Sequence, residues 1–213
     1  ENIDQIVSLG GIAPLIALLR EDDDEGKTAA AATLREIASL ETYRADITKK
    51  GGIVPLIALL RDGSTEGKSE AAEVLHMLAF GNPSNEALMM KLGVVASLIA
   101  WLRESCDDEG KTNAVKALLF FSLNQDNQDE IIQKDGVAPL LAMMHEGSGE
   151  GCFMATLALA NISKNVANKD KLAGSDMEDM IATIMEHNVD ADQFETVGLF
   201  PRTIMAASLE EME

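Results

Sequence analysis

The segment GGIVPLIALLR, residues 51–61, decides the fold because the chain repeats it. It occurs earlier as GGIAPLIALLR at 10–20, and again, altered, as GVVASLIAWLR at 93–103 and GVAPLLAMMH at 136–145. Measured at the proline position, occupied by Pro14, Pro55, Ser97 and Pro139, successive copies are 41, 42 and 42 residues apart, and a degenerate fifth copy covers 177–185. Repetition at a fixed period of this length indicates stacked structural units of one kind.

A second block recurs with the same period and opens with Glu-Gly-Lys or, in its last copy, Glu-Gly-Cys. Eight residues after each glycine stands a leucine, and an alanine stands four residues before that leucine. Residues four apart share one helix face, so the block predicts a long helix with a small residue where neighbouring helices approach closely. The recurrent leucines are Leu34, Leu75, Leu118 and Leu159.

A short third element precedes each glycine pair. Asn is a favoured N-cap and Gly a favoured helix stop, so Asn85 and Asn127 are expected to cap two of these short helices. Each unit is therefore predicted to contain a short, a middle and a long helix, and no stretch alternates as a strand would. Helices are expected near 2–9, 13–20, 25–40, 43–50, 54–61, 66–80, 85–92, 96–104, 109–123, 127–134, 137–145, 150–163, 168–174, 177–187 and 190–200.

A three-helix unit of this size cannot bury its apolar face alone, so stacked units are expected to form a right-handed all-α solenoid. The three linked blocks resemble armadillo repeats over essentially the whole chain, with the long helix similar to the armadillo region of plant U-box ubiquitin ligases. We expect a single armadillo-repeat domain over 1–213 with four to five repeats. Their expected bounds are 2–42, 43–84, 85–126, 127–167 and a degenerate capping repeat at 168–213.

Composition and charge exclude several classes of function. The chain has 213 residues, of which 46% are hydrophobic, with 36 acidic and 17 basic residues and a net charge of −19. Because a protein this acidic repels phosphate backbones, no nucleic-acid partner is expected. No apolar run is long enough to cross a membrane. The two cysteines, Cys106 and Cys152, form no disulfide framework, which suits a reducing, intracellular compartment.

No catalytic, cofactor or metal site is expected from the sequence. His76, His145 and His187 lie in no nucleophile motif, and no phosphate-binding glycine pattern is present. The acidic run at 22–25 lacks the alternating ligands and central glycine of a calcium loop. Because it precedes a helix N-terminus, we interpret it as capping, and the chain is not expected to be an enzyme.

The resemblance implies that the long helices line a concave groove that holds a partner. In the nuclear-import adaptors of the family, a Trp and an Asn four residues apart recur on this helix. Aligned through the recurrent leucine, the Trp positions hold Ala32, Glu73, Lys116 and Leu157, and the Asn positions hold Glu36, Met77, Phe120 and Asn161. Of these eight residues only Asn161 matches. We expect the partner to contact Glu36, Glu73, Met77, Lys116, Leu119, Phe120, Leu157 and Asn161, with Leu119, Phe120, Met77 and Leu157 pointing into the groove.

Two functions remain open at this point. The first is a non-enzymatic scaffold or adaptor that binds an extended segment or a helix of a protein partner, possibly inside a larger assembly. The alternative is the substrate-recognition region of a ubiquitin ligase, or of another enzyme, whose catalytic domain lies outside this chain.

Trp101, the only tryptophan, replaces a leucine of the middle helix and is expected to pack in the core.

Overall fold

The computed structural model describes residues 2–21, 23–104, 108–147, 149–164 and 168. Within these residues the chain forms twelve α-helices and no strand, which confirms the predicted all-helical fold. Each predicted helix bound in this part of the chain lies within two residues of the observed one. The helices are α1 (Asn2–Ser8), α2 (Ile12–Glu21), α3 (Asp24–Ser39), α4 (Glu41–Lys49), α5 (Ile53–Asp62), α6 (Thr65–Ala79), α7 (Pro83–Lys91), α8 (Val94–Glu104), α9 (Asp108–Phe121), α10 (Gln125–Gln133), α11 (Val137–Glu146) and α12 (Gly149–Lys164).

The described residues all lie in one compact unit, Glu1–Lys171. The helices expected at 177–187 and 190–200 lie outside the described residues, as does all but Asn168 of the helix expected at 168–174. The capping repeat predicted at 168–213 therefore stays a prediction, and so does the single domain over the whole chain.

The core is built from the columns that recur in the sequence. The leucine column, Leu34, Leu75, Leu118 and Leu159, is at most 1% exposed. The alanine four residues before each leucine is also buried, and it lies where α3, α6, α9 and α12 pack side by side in that order. Because alanine adds little volume, these helices can approach closely and bury the leucines between them.

The middle helices α2, α5, α8 and α11 cover one side of the long helices. Trp101 of α8 is buried, at the position that Leu59 and Met143 occupy in the neighbouring repeats, which confirms that it packs in the core.

Within the described part of the chain no single helix is long and apolar enough to cross a membrane. Two bent helix pairs, α1 with α2 and α7 with α8, pass that test together, by length and composition only.

The predicted caps of the short helices are wrong by three residues. Asn82 caps α7, accepting a hydrogen bond from the Asn85 amide at 3.1 Å, and Asn124 caps α10. Asn85 is instead buried inside α7, where its side chain donates to the Leu78 carbonyl at 2.7 Å and to Thr48 Oγ1 at 3.0 Å. Asn127 likewise donates to Glu86 at 2.6 Å. These asparagines tie successive repeats together because a buried amide needs partners.

The turn between the short and middle helices is a second inter-repeat contact. Gly10, Gly51 and Gly93 hold this turn with φ between 77° and 81°, and Asp135 holds the fourth with φ 56°. In α2 and α8 the arginine near the end of the helix reaches the next repeat's turn. Arg20 donates to the Gly51 carbonyl at 3.3 Å, and Arg103 donates to the Asp135 carbonyl at 2.8 Å.

Candidate partner-binding face

One face of the four long helices remains open along the described repeats. The four Trp-position residues are half-buried, Glu36 is exposed, and Met77 and Asn161 are half-buried, whereas the leucine between each pair is fully buried. A two-residue offset therefore separates core from open surface, as the sequence register predicts. We call this surface the long-helix face, and it consists of Ala32, Glu36, Glu73, Met77, Lys116, Leu157 and Asn161.

Two of the residues expected in the groove are buried instead. Phe120 is 7% exposed and Leu119 is 3% exposed, so the expectation that they point into solvent is wrong. The Phe120 ring lies 4.6 Å from the His76 ring and 5.3 Å from the Phe121 ring, centroid to centroid. The physical reason is that the rings of His76 and Phe80 from the preceding repeat and of Phe121 pack around the Phe120 ring. Whether a partner contacts either residue stays a prediction.

Polar side chains link neighbouring long helices across the face. Arg35 of α3 donates to Glu70 of α6 at 2.7 Å and lies 3.5 Å from Glu73. Asn113 of α9 donates to Ser69 of α6 at 2.7 Å. These bonds hold the repeats in register. They also give hydrogen-bond partners to polar side chains that would otherwise need them from a bound partner.

Asn161 is the one residue that matches the family's Trp–Asn pattern, and it is half-buried on α12. Its Nδ2 donates to Ser122 Oγ at 3.1 Å, and Ser122 in turn donates to the Leu119 carbonyl at 2.6 Å. Among the described residues the Asn161 Oδ1 accepts no hydrogen bond. An amide fixed at one end and open at the other can accept a backbone N–H from a bound segment.

The charges on and beside the face are not evenly distributed. Glu36 and Glu73 share one arginine, Arg35, and their side chains are 59% and 35% exposed, which leaves this end acidic. Further along, Lys116 of α9 and Arg44 of α4 form no ion pair within the described residues, although the chain has 36 acidic residues. Arg44 Nε instead donates to the Ala38 carbonyl at 2.8 Å, which fixes it at the junction of α3 and α4.

His76 lies between these two cationic side chains and the Phe120 ring. Burial lowers the pKa of His76 from its ordinary 6.5 to about 4, and the charges of Lys116 and Arg44 act in the same direction. The imidazole is therefore neutral at pH 7. The sequence predicts only a surface contact for His76. Its place in the aromatic cluster between α6 and α9 is not visible there, because sequence does not show that Phe120 packs on it.

Stability is expected to fall below pH 6.5 because of His76. Its pKa is lower in the folded chain than in the unfolded chain, so its contribution is present above pH 6.5 and is lost as the pH falls from 6.5 towards 4. Between pH 7 and pH 5 the loss should be about 1–2 kcal/mol. Urea unfolding at the two pH values measures it, and His76→Gln should reduce the difference.

The control for this prediction is His145→Gln, which changes an exposed histidine at the end of α11. That variant should keep the wild-type difference between pH 7 and pH 5. If His76→Gln keeps it too, other titrating groups cause the acid sensitivity.

Two equivalent depressions lie on the middle-helix side and were not predicted. One, of about 400 Å³, includes Arg20, Lys27 and Pro55, and the other, of about 190 Å³, includes the matching Arg103, Lys111 and Pro139. At the corresponding place between them, Trp101 is buried and Lys68 lies 3.7 Å from Glu104. In the sequence, the difference between this repeat and its neighbours is visible as Trp101, a larger side chain in a leucine position.

The described residues contain no group of three or more His, Cys, Asp or Glu side chains that could hold a metal ion. Cys152 is half-buried and its Sγ donates to the Met144 carbonyl at 3.0 Å. His145 is exposed, as expected for a solvated residue at a helix end. The open surface of the described repeats thus has the chemistry of a binding face: carboxylates, amides, cations and apolar side chains.

Comparison with known proteins agrees with this architecture. Residues 1–39 match the family model of the Armadillo/beta-catenin-like repeat. The described repeats have the fold of an armadillo-repeat solenoid, as the sequence resemblance predicts. Solenoids of this class are typically peptide-binding interaction scaffolds and are generally non-enzymatic. A comparison with curated protein sequences finds no significant match.

Among solved structures, computationally designed armadillo repeat proteins for modular peptide recognition are 25% identical with a TM-score of 0.77, over 98% of this chain and 84% of theirs. A designed armadillo repeat protein in complex with the peptide (KR)4 is 24% identical with a TM-score of 0.78, over 99% of this chain and 85% of that chain. An armadillo-repeats-only protein from Plasmodium falciparum is 18% identical with a TM-score of 0.63, over 75% of this chain and 76% of that chain.

Proposed function

We propose that this protein is a non-enzymatic scaffold that holds an extended segment of a partner protein along the long-helix face. The observation that carries the proposal is the open column Ala32, Glu73, Lys116 and Leu157, which runs beside a fully buried leucine column. The core columns recur from repeat to repeat, whereas the open column changes at every step. A surface that varies while its support stays constant suits recognition of a particular sequence.

The dimensions of the face fit an extended segment. Neighbouring packed helices lie about 8–10 Å apart, so four long helices span roughly 30 Å. An extended chain rises about 3.3 Å per residue, so about nine residues of a partner can cross them.

Charge supports a partner segment with basic residues. The net charge of −19 attracts cationic segments at long range, and the face itself carries the exposed Glu36 and the half-buried Glu73. The designed relative in complex with (KR)4 shows that a protein of this fold can bind a basic peptide. The alternative, a substrate-recognition region of a ubiquitin ligase, stays a prediction from the sequence resemblance.

The first test uses peptides selected from a random twelve-residue display library on the immobilised full chain. Selected peptides should lose about tenfold in affinity with Asn161→Ala or Glu73→Lys, because a bound segment loses one hydrogen bond or meets a repelling charge. Val54→Ser, which changes an exposed residue on α5, is the control and should bind normally. Fluorescence anisotropy with labelled peptide measures each affinity.

Salt gives a second measurement on the same variants. Binding of the (KR)4 peptide should weaken about tenfold or more between 50 and 500 mM salt, since screening removes long-range attraction. The proposal would be contradicted if the affinity of the selected peptides is unchanged by Asn161→Ala and Glu73→Lys but falls with substitutions on α5. That result would place the binding surface on the middle helices.

A further inference from the structure

Lys116 and Arg44 are two positively charged residues that form no ion pair within the described residues. Lys116 and Phe120 lie four residues apart on α9, so they share one side of that helix. The Phe120 ring packs against His76 of α6, which places Lys116 beside the α6–α9 junction. Arg44 donates to the Ala38 carbonyl at the junction of α3 and α4, and α4 also packs against α6.

The electrostatics of His76 agree with this arrangement. Burial is the main cause of the lowered pKa of His76, and the positive charges of Lys116 and Arg44 act in the same direction. A cationic group of a partner would be repelled here, while a carboxylate would be attracted by the two positive charges.

One helix away, the face has the opposite character. Glu36, Glu70 and Glu73 share the single cation Arg35, so this end retains negative charge. Among the described residues the long-helix face therefore changes from the carboxylates Glu36 and Glu73 of α3 and α6 to the cation Lys116 of α9.

We propose that the long-helix face selects a partner segment that carries a basic and an acidic residue about three to four positions apart. In this proposal the basic residue lies at Glu36 and Glu73, and the acidic side chain lies at Lys116 and Arg44. It rests on the proposed function, because it names the chemistry of the segment that the same face would bind.

The spacing follows from helix packing. The two charged regions are separated by about one interhelix distance, roughly 8–10 Å, and somewhat more from side chain to side chain. An extended segment covers this distance in about three to four residues. Two neighbouring residues are too close together to reach both regions.

The test compares display selections on wild type, Lys116→Gln and Lys111→Gln. Lys111→Gln is the matched control because it removes the same charge from the same helix, at its N-terminal end beside the α8–α11 depression. Peptides selected on wild type and on Lys111→Gln should carry Lys or Arg three to four positions from Asp or Glu. Peptides selected on Lys116→Gln should lose the preference for the acidic residue.

Measured affinities show whether loss of the Lys116 charge weakens or strengthens the binding of each peptide. Lys116→Gln should lower the affinity for a selected mixed-charge peptide about tenfold, because the lysine attracts its acidic residue. The same change should raise the affinity for (KR)4 about threefold, because the lysine repels this basic peptide. Lys111→Gln should change both affinities equally and only slightly. Thermal melts of the three proteins check that all are folded.

The outcomes separate this inference from the proposed function. If selected peptides respond to Asn161→Ala but carry only basic residues, or if Lys116→Gln weakens (KR)4, the mixed-charge preference is wrong and the binding face stands. If no peptide is enriched, or if substitutions on the long-helix face change the affinity of none, the mixed-charge preference and the proposed binding function are both wrong. Enrichment of the charge pair with loss of the acid on Lys116→Gln supports both.

Discussion

Leu118→Ala is expected to destabilise the protein by about 2–5 kcal/mol, the usual cost of removing a fully buried leucine side chain. Leu118 is 0% exposed in the last turn of α9. Because α9 packs against both α6 and α12, the cavity would open between three long helices, whose backbones can move little to fill it. Urea unfolding of the full chain measures the loss.

The control is Leu123→Ala, five residues further along, since Leu123 is 39% exposed and should change stability by at most about 0.5 kcal/mol. Phe120→Ala is a second comparison. Because Phe120 is buried against His76 and Phe121, we expect it to cost about 3 kcal/mol, far more than its predicted groove position implied. Equal losses for Leu118→Ala and Leu123→Ala would contradict the core assignment.

The second large effect is expected at Gly52→Val, which should destabilise the protein by about 2–3 kcal/mol through overpacking. A Cβ at Gly52 would lie 2.8 Å from Ile47 Cγ2 and 3.1 Å from the Ile47 carbonyl oxygen. The third repeat shows how the clash can be avoided. There Val94 takes the glycine position and Met89, which has no Cγ2 branch, takes the isoleucine position, and both are fully buried.

Ile47→Met alone preserves volume and should cost less than about 1.5 kcal/mol. Combined with Gly52→Val, it should recover at least about 1 kcal/mol relative to the sum of the single changes, because it removes the clashing branch. The double-mutant cycle is measured by urea unfolding. Additive effects would show that the Ile47 branch does not explain the recurrent glycine.

The helices were predictable because each depends mainly on local pattern. The recurrent leucines fix which face of a long helix is buried, so periodicity alone places the positions two residues before and after them on the open surface. Phe120 is the exception in the described repeats. The N-caps at Asn82 and Asn124 were missed because several asparagines stand close together there, and only packing decides which one is buried.

The burial of Phe120 could not be predicted from its own helix. Periodicity shows which residues share a face, but not how far the neighbouring helices wrap around it, and α9 is covered from both sides. The cationic region was hidden for a similar reason. Lys116 and Arg44 are far apart in the sequence, and their common neighbour His76 becomes visible only when α4, α6 and α9 are packed together.

The most direct test of the proposed binding face is methyl NMR of the full chain with 13C-methyl-labelled methionine. Met77 is half-buried on the long-helix face, whereas Met143 and Met144 are buried in the middle helix α11. Met77→Leu assigns the Met77 signal. When a selected peptide carrying a spin label is added, the Met77 signal should broaden while the Met143 and Met144 signals stay sharp. Broadening of Met143 or Met144 with an unchanged Met77 signal would contradict the proposal.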